Sequence, residues 1–99
     1  MKHILCKLIP PRPTFDRDMN EAEAKVMQEH IAYWASLADK GTAVVFGPVS
    51  DPNGAWGVAI VEIEDEVDAP AITNNDPVIN SGLGFRYEFY AMPQIISRK

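Results

Sequence analysis

Apolar positions along the chain change their spacing several times, and each change marks an element. His3 to Ile9 is rich in Ile and Leu and is closed by Pro10, Pro11 and Pro13, which predicts a first strand. Thr14 to Met19 reads as a polar connection. Asn20 stands three residues before Glu23, a capping-box spacing that opens a helix at Glu21. Val26, Met27, His30, Ile31, Trp34, Leu37 and Ala38 then recur at three- and four-residue steps. Glu23, Lys25, Gln28, Glu29 and Asp39 lie mostly outside that stripe. Gly41 is the expected left-handed stop.

Thr42 to Phe46 predicts a second strand, followed by Gly47-Pro48. Asp51-Pro52-Asn53-Gly54 suits a type I turn, with Pro second and Gly fourth, so a hairpin leads into a third strand from Trp56 to Ile63. A second helix begins within Glu64 to Asp68 and runs through Thr73, with Pro70 limiting it or sitting in its first turn. Asn74-Asn75-Asp76-Pro77 ends it. Phe85 to Met92 alternates, with Phe85, Tyr87 and Phe89 on one face and Arg86, Glu88 and Tyr90 on the other.

The resulting order, β-α-β-β-α-β, is the ferredoxin-like α+β arrangement, carried in one domain over residues 1–99. Two helices can cover only one face of such a sheet. Yet Val58-Ala59-Ile60-Val61 and Ala43-Val44-Val45-Phe46 are apolar at consecutive positions and so point to both faces. The simplest cover for the second face is another copy of the chain. A homodimer is therefore expected from burial alone.

Composition narrows the partners. In 99 residues, nine basic against fourteen acidic side chains give a net charge of −5, which argues against nucleic acid and anionic membrane surfaces. The single cysteine, Cys6, excludes an internal disulfide and a Cys-rich zinc site, and fits a reducing cytoplasm. The apolar run from Ile4 to Ile9 is too short to span a membrane and lacks the pattern of a cleaved signal, so a cytoplasmic location is expected.

Two residues carry candidate chemistry. His30 falls on the apolar stripe and should point inward, where an imidazole needs a partner, because an unsatisfied buried polar group costs about 1–3 kcal/mol. A backbone carbonyl would satisfy it as an ordinary core histidine; a carboxylate would make it a general acid/base. Asp76 before Pro77 is a good N-cap for a short turn, with Pro at the first helical position. It is equally the carboxylate that could orient and charge His30. The spacing of the two along the chain does not choose.

Gly82-x-Gly84 follows no strand and opens no long helix, so it is no phosphate loop. His3 and Cys6 lie on opposite faces of one strand and cannot share a metal. No metal or cofactor is expected, and no zinc, hydrolase or nucleotide motif occurs. With an acidic charge balance, Trp34, Trp56 and the aromatics of the last strand belong to core and interface rather than to a base-stacking platform.

The ordered set Glu29-His30-Ile31-Ala32-Tyr33-Trp34, Phe46-Gly47-Pro48, Gly54 and Asp76-Pro77-x-x-x-Ser81-Gly82 resembles the YCII-related family, from the first strand to Met92-Pro93. The resemblance implies a small dimeric α+β barrel, similar in fold to cofactor-free monooxygenases and muconolactone isomerases. It places a catalytic pair on His30 and Asp76; Trp34, Gly47, Pro48 and Tyr87 are then expected as the substrate-binding walls beside that pair. The chain departs from the family at Met27, where many relatives carry arginine, and at Ser81, where alanine is usual. The implied activity is cofactor-independent proton transfer on a small cyclic or aromatic molecule, of a lyase, isomerase or dehydrochlorinase kind. One branch of the family removes chloride from a chlorinated hydroxyhydroquinone. Related domains joined to sigma-factor segments imply the alternative, a non-catalytic ligand-binding or regulatory accessory module.

Overall fold

The computed structural model describes residues 1–98 and contains β1 (Lys2–Ile9), α1 (Phe15–Asp18), α2 (Glu21–Asp39), β2 (Ala43–Val49), β3 (Trp56–Ile63), α3 (Asp68–Thr73), α4 (Pro77–Asn80) and β4 (Arg86–Met92). The strands form one antiparallel sheet in the order β2-β3-β1-β4, in agreement with the ferredoxin-like arrangement expected from the sequence. No helix among the described residues is long and apolar enough to cross a membrane.

Register sorts the sheet into two faces, because cross-strand partners share a face. Phe46, Ala59, Cys6 and Phe89 form one row across all four strands, on the side packed by the helices. Ile4, Cys6, Val61, Ile63 and Ala43 bury there against Trp34 and Leu37 of α2. A second cluster joins Leu8, Phe15, Val26, Val78 and Phe85 at the other end of the same layer. The opposite face carries the row Val45, Ile60, Leu5 and Tyr90, with Val45 51% and Tyr90 51% exposed.

The helix α2 is entered through the expected capping box: Asn20 accepts from the Glu23 backbone N–H, and Glu23 accepts from the Asn20 N–H. Glu23, however, is buried rather than outside the stripe. Arg12 explains this by gripping both of its carboxylate oxygens at 2.8 Å. These donors hold the Glu23 carboxyl at about 2, Arg12 contributing most and the Asn20 N–H next, against the upward push of burial. Ile31 and Ala38, expected on the stripe, are exposed at its margin.

Two boundaries differ from the sequence reading, and a third settles a choice it left open. The connection Thr14–Met19 contains α1, because Phe15 turns inward and meets the Phe85 ring edge-on at 5.2 Å. The second strand runs on through Gly47-Pro48 to Val49; β2 is an edge strand, where proline is tolerated. The third helix starts at Asp68, so Pro70 stands in its first turn and Glu64–Glu66 form an exposed approach.

The hairpin turn closes with Gly54 N–H donating to the Asp51 carbonyl at 2.9 Å. Gly54 has φ of 129°, and a Cβ there would lie 3.0 Å from Pro13 Cα. Both backbone strain and a backbone clash oppose any side chain. Gly54→Ala is therefore expected to cost about 1–3 kcal/mol in denaturant unfolding. Gly47→Ala, where a Cβ meets nothing within 4 Å, should change stability by about 0.5 kcal/mol or less.

Candidate functional site

Asp76 is fully buried where the chain passes from α3 to α4. Its two oxygens divide two tasks. Oδ1 accepts from the Val78 backbone N–H at 3.1 Å, and Pro77 occupies the first turn, so the N-cap seen in the sequence is real. Oδ2 accepts from His30 Nδ1 at 2.8 Å, Trp34 Nε1 at 2.8 Å and the Tyr87 hydroxyl at 2.5 Å. The two readings of Asp76 are thus compatible rather than exclusive.

The electrostatics follow from this crowd of donors. Burial pushes the Asp76 carboxyl up, but the hydrogen bonds from His30, Tyr87 and Trp34 and the positive charge of His30 outweigh it, and the group is held below the usual carboxylate value. Burial, and then the Asp76 charge, push the Tyr87 phenol far up, so it stays protonated. Tyr33 is raised for the same two reasons and donates to the Ile72 carbonyl at 2.6 Å, tying α2 to α3.

Beside this network lies an apolar cavity of about 210 Å³ between the sheet and the first two helices. Cys6, Leu8, Ala59 and Phe85 form its inner wall, Phe46, Gly47 and Pro48 one side, and Met27, His30 and Ile31 the other; Tyr87 also reaches it. Because Nδ1 of His30 is committed to Asp76, the acceptor nitrogen of the neutral ring is Nε2. No buried side-chain nitrogen or oxygen among the described residues lacks a partner, so the unbonded Nε2 is not sealed off. Burial pushes the Cys6 thiol up to about 12, which leaves it a neutral wall residue rather than a nucleophile.

Of the residues expected at the site, His30, Gly47, Pro48 and Tyr87 line the cavity and Asp76 stands directly behind His30. Trp34 does not form a wall. It is fully buried beneath the pair, because its indole N–H needs a partner at the innermost position of the stripe and finds Asp76. The sequence reading missed Phe15, Asp16 and Met19, which line the cavity from α1 and its end. The aromatic Phe15 in a polar stretch was the available signal. Ser81 has a structural role: its hydroxyl donates to the Val78 carbonyl at 2.7 Å and accepts from the Leu83 N–H at 3.1 Å. No group of three or more His, Cys, Asp or Glu side chains among the described residues is disposed to hold a metal ion.

A family model for the YCII-related domain matches residues 4–93. The chain belongs to the YCII-related family. No curated protein matches the sequence significantly. Among solved structures, the protein is similar to a 5-chloro-2-hydroxyhydroquinone dehydrochlorinase from Burkholderia phenoliruptrix, determined in complex with 2,5-dihydroxybenzoquinone. The match has a TM-score of 0.60 and 21% identity, and covers 88% of this chain and 90% of that one. At that identity the likeness establishes the shared YCII fold.

Acid should weaken the protein through two carboxylates. Glu23 and Asp76 are both stronger acids folded than unfolded, so the unfolded chain binds more protons as pH falls. The stability they supply is complete above the ordinary carboxylate range and is lost as pH drops through the folded values, for Glu23 down to about 2. Urea midpoints measured from pH 7 to pH 2 should fall accordingly. In Asp76→Asn the unfolding free energy at pH 7 should be lower by about 1–3 kcal/mol, and the urea midpoint should depend less on pH.

Proposed function

We propose that the protein is a cofactor-independent enzyme in which His30 is the general acid/base and Asp76 its charge partner. The observation that supports this most is the 2.8 Å bond from His30 Nδ1 to Asp76 Oδ2 in a histidine that also lines an apolar cavity. Asp76 selects the Nδ1–H tautomer and steadies the positive charge that the ring takes up with a proton. Neutral Nε2 then removes a proton from a small cyclic or aromatic substrate, whose own π system holds the electron pair left behind. Return of that proton to a different atom gives an isomerisation. Loss of a leaving anion instead gives an elimination, of the kind named for the dehydrochlorinase neighbour.

The size and apolar lining of the cavity suit one substituted ring. The test is exchange chemistry. Ring compounds with an acidic C–H, 2,5-dihydroxybenzoquinone among them, would be incubated with the protein in deuterated buffer and followed by proton NMR. Exchange, or release of a leaving group, should be accelerated, and His30→Gln should reduce the rate by about 10²–10⁴-fold. Equal rates for the two proteins across the panel, with the ligand still bound, would replace the enzyme with the binding-module reading.

We also infer that the working form is a homodimer joined through the open face of the sheet. The row Val45, Ile60, Leu5 and Tyr90 crosses all four strands, and no helix among the described residues covers it. A second copy offers the matching apolar surface. Light scattering at micromolar concentration should return about twice the chain mass of 11.0 kDa. Ile60→Glu, which places charge at the centre of that row, should return a single chain mass.

A further inference from the structure

Resting on the reading of His30 and Asp76 as a working pair, we propose that Tyr87 is a positioning residue: its hydroxyl, together with the Trp34 indole, clamps Asp76 Oδ2 so that the carboxylate stays ionised and aimed at His30. The geometry is a closed triangle. Tyr87 donates to Asp76 Oδ2 at 2.5 Å, while the Trp34 N–H is shared between that oxygen at 2.8 Å and the Tyr87 oxygen at 3.1 Å. The Tyr87 bond is the shortest of the four that reach Asp76, in the range of strong hydroxyl-to-carboxylate bonds.

Burial opposes a charged Asp76, and each donor lost from Oδ2 moves the balance toward a neutral acid. A neutral Asp76 could neither hold the imidazole in one tautomer nor steady its charge. The groups that face the carboxylate are few. His30, Tyr33 and the Trp34 indole come from α2, Tyr87 from β4 and the Val78 N–H from α4; Cys6 of β1 lies near Tyr87. Tyr33 spends its hydroxyl on Ile72, and the Cys6 thiol is neutral. Among the described residues Tyr87 is thus the one titratable group besides His30 that bonds Asp76, and it is also a wall of the cavity. It would contact the ligand and the pair at once.

The alternative is that Tyr87 merely fills space and satisfies a buried cap. Protein labelled with ¹³C at aspartate and ¹⁵N at histidine separates the two through titration of Asp76 Cγ and the ring-nitrogen shifts of His30. In Tyr87→Phe, which keeps the ring, the Asp76 midpoint should rise by about one pH unit, and the Nδ1–H signature of His30 should give way to a tautomer mixture. Replacing tyrosine by 3-fluorotyrosine, a more acidic donor, should move the midpoint down. An unmoved Asp76 midpoint and tautomer in Tyr87→Phe, whatever its melting temperature, would overturn the proposal. Should Tyr87→Phe fail to fold, an unmoved midpoint in the fluorinated protein would do the same. Neither result would touch the His30–Asp76 pair itself, which stands or falls on the exchange rate of His30→Gln.

Discussion

A buried carboxylate is the constraint on which the site depends. Asp76 has no access to solvent, so everything water would have supplied must come from the protein. Four donors from three elements do so: His30 and Trp34 from α2, Tyr87 from β4 and the Val78 backbone of α4. The same interactions that make the charge tolerable pin α4 against α2 and β4. A carboxylate held this way is already oriented before any substrate arrives, which is what an acid/base partner requires.

The cavity next to it is built by the chain leaving β1. Arg12 links Asp18 and Glu23, fixing the start of α2 relative to the preceding loop. That grip sets Phe15 against Phe85 and brings Met19 to the cavity wall. The capping box and the ion pair are thus one device, because Glu23 serves both. Close approach of Gly54 to Pro13 ties the β2–β3 turn to the same loop. The cavity takes its inner wall from the sheet and the rest from α1, α2 and the adjoining loops, where side chains can change without altering the strands.

Much of this architecture was legible in the chain because periodicity and turn chemistry are local. The centre of the α2 stripe, its capping box, the Gly41 stop and the Asp51–Gly54 turn each depend on residues a few positions apart, and the structure has them where the spacing put them, with Ile31 and Ala38 left exposed at the stripe's margin. The alternation in β4 likewise survives as two faces. Reading failed where a distant partner reversed a local preference. Glu23 looked like a solvated acid until Arg12 covered it. Phe15 lay in a polar stretch until Phe85 gave it a surface to pack on, and Pro48 continued a strand because that strand lies at the sheet edge.

The site divides along the same line. Sequence alone determined that His30 lies on the inward stripe and that Asp76 caps a turn beginning with Pro77, since both follow from short-range geometry. Whether those two side chains meet depends on how α4 packs on α2, a contact across 46 positions that no local pattern encodes. Tertiary structure decided that they meet at 2.8 Å and that Tyr87 and Trp34 converge on the same oxygen. It also withdrew Trp34 from the cavity wall and placed it behind the pair. The reason is physical: a helix stripe says which side chains turn inward, but only the packed partner says whether they meet a cavity, a core or a charge.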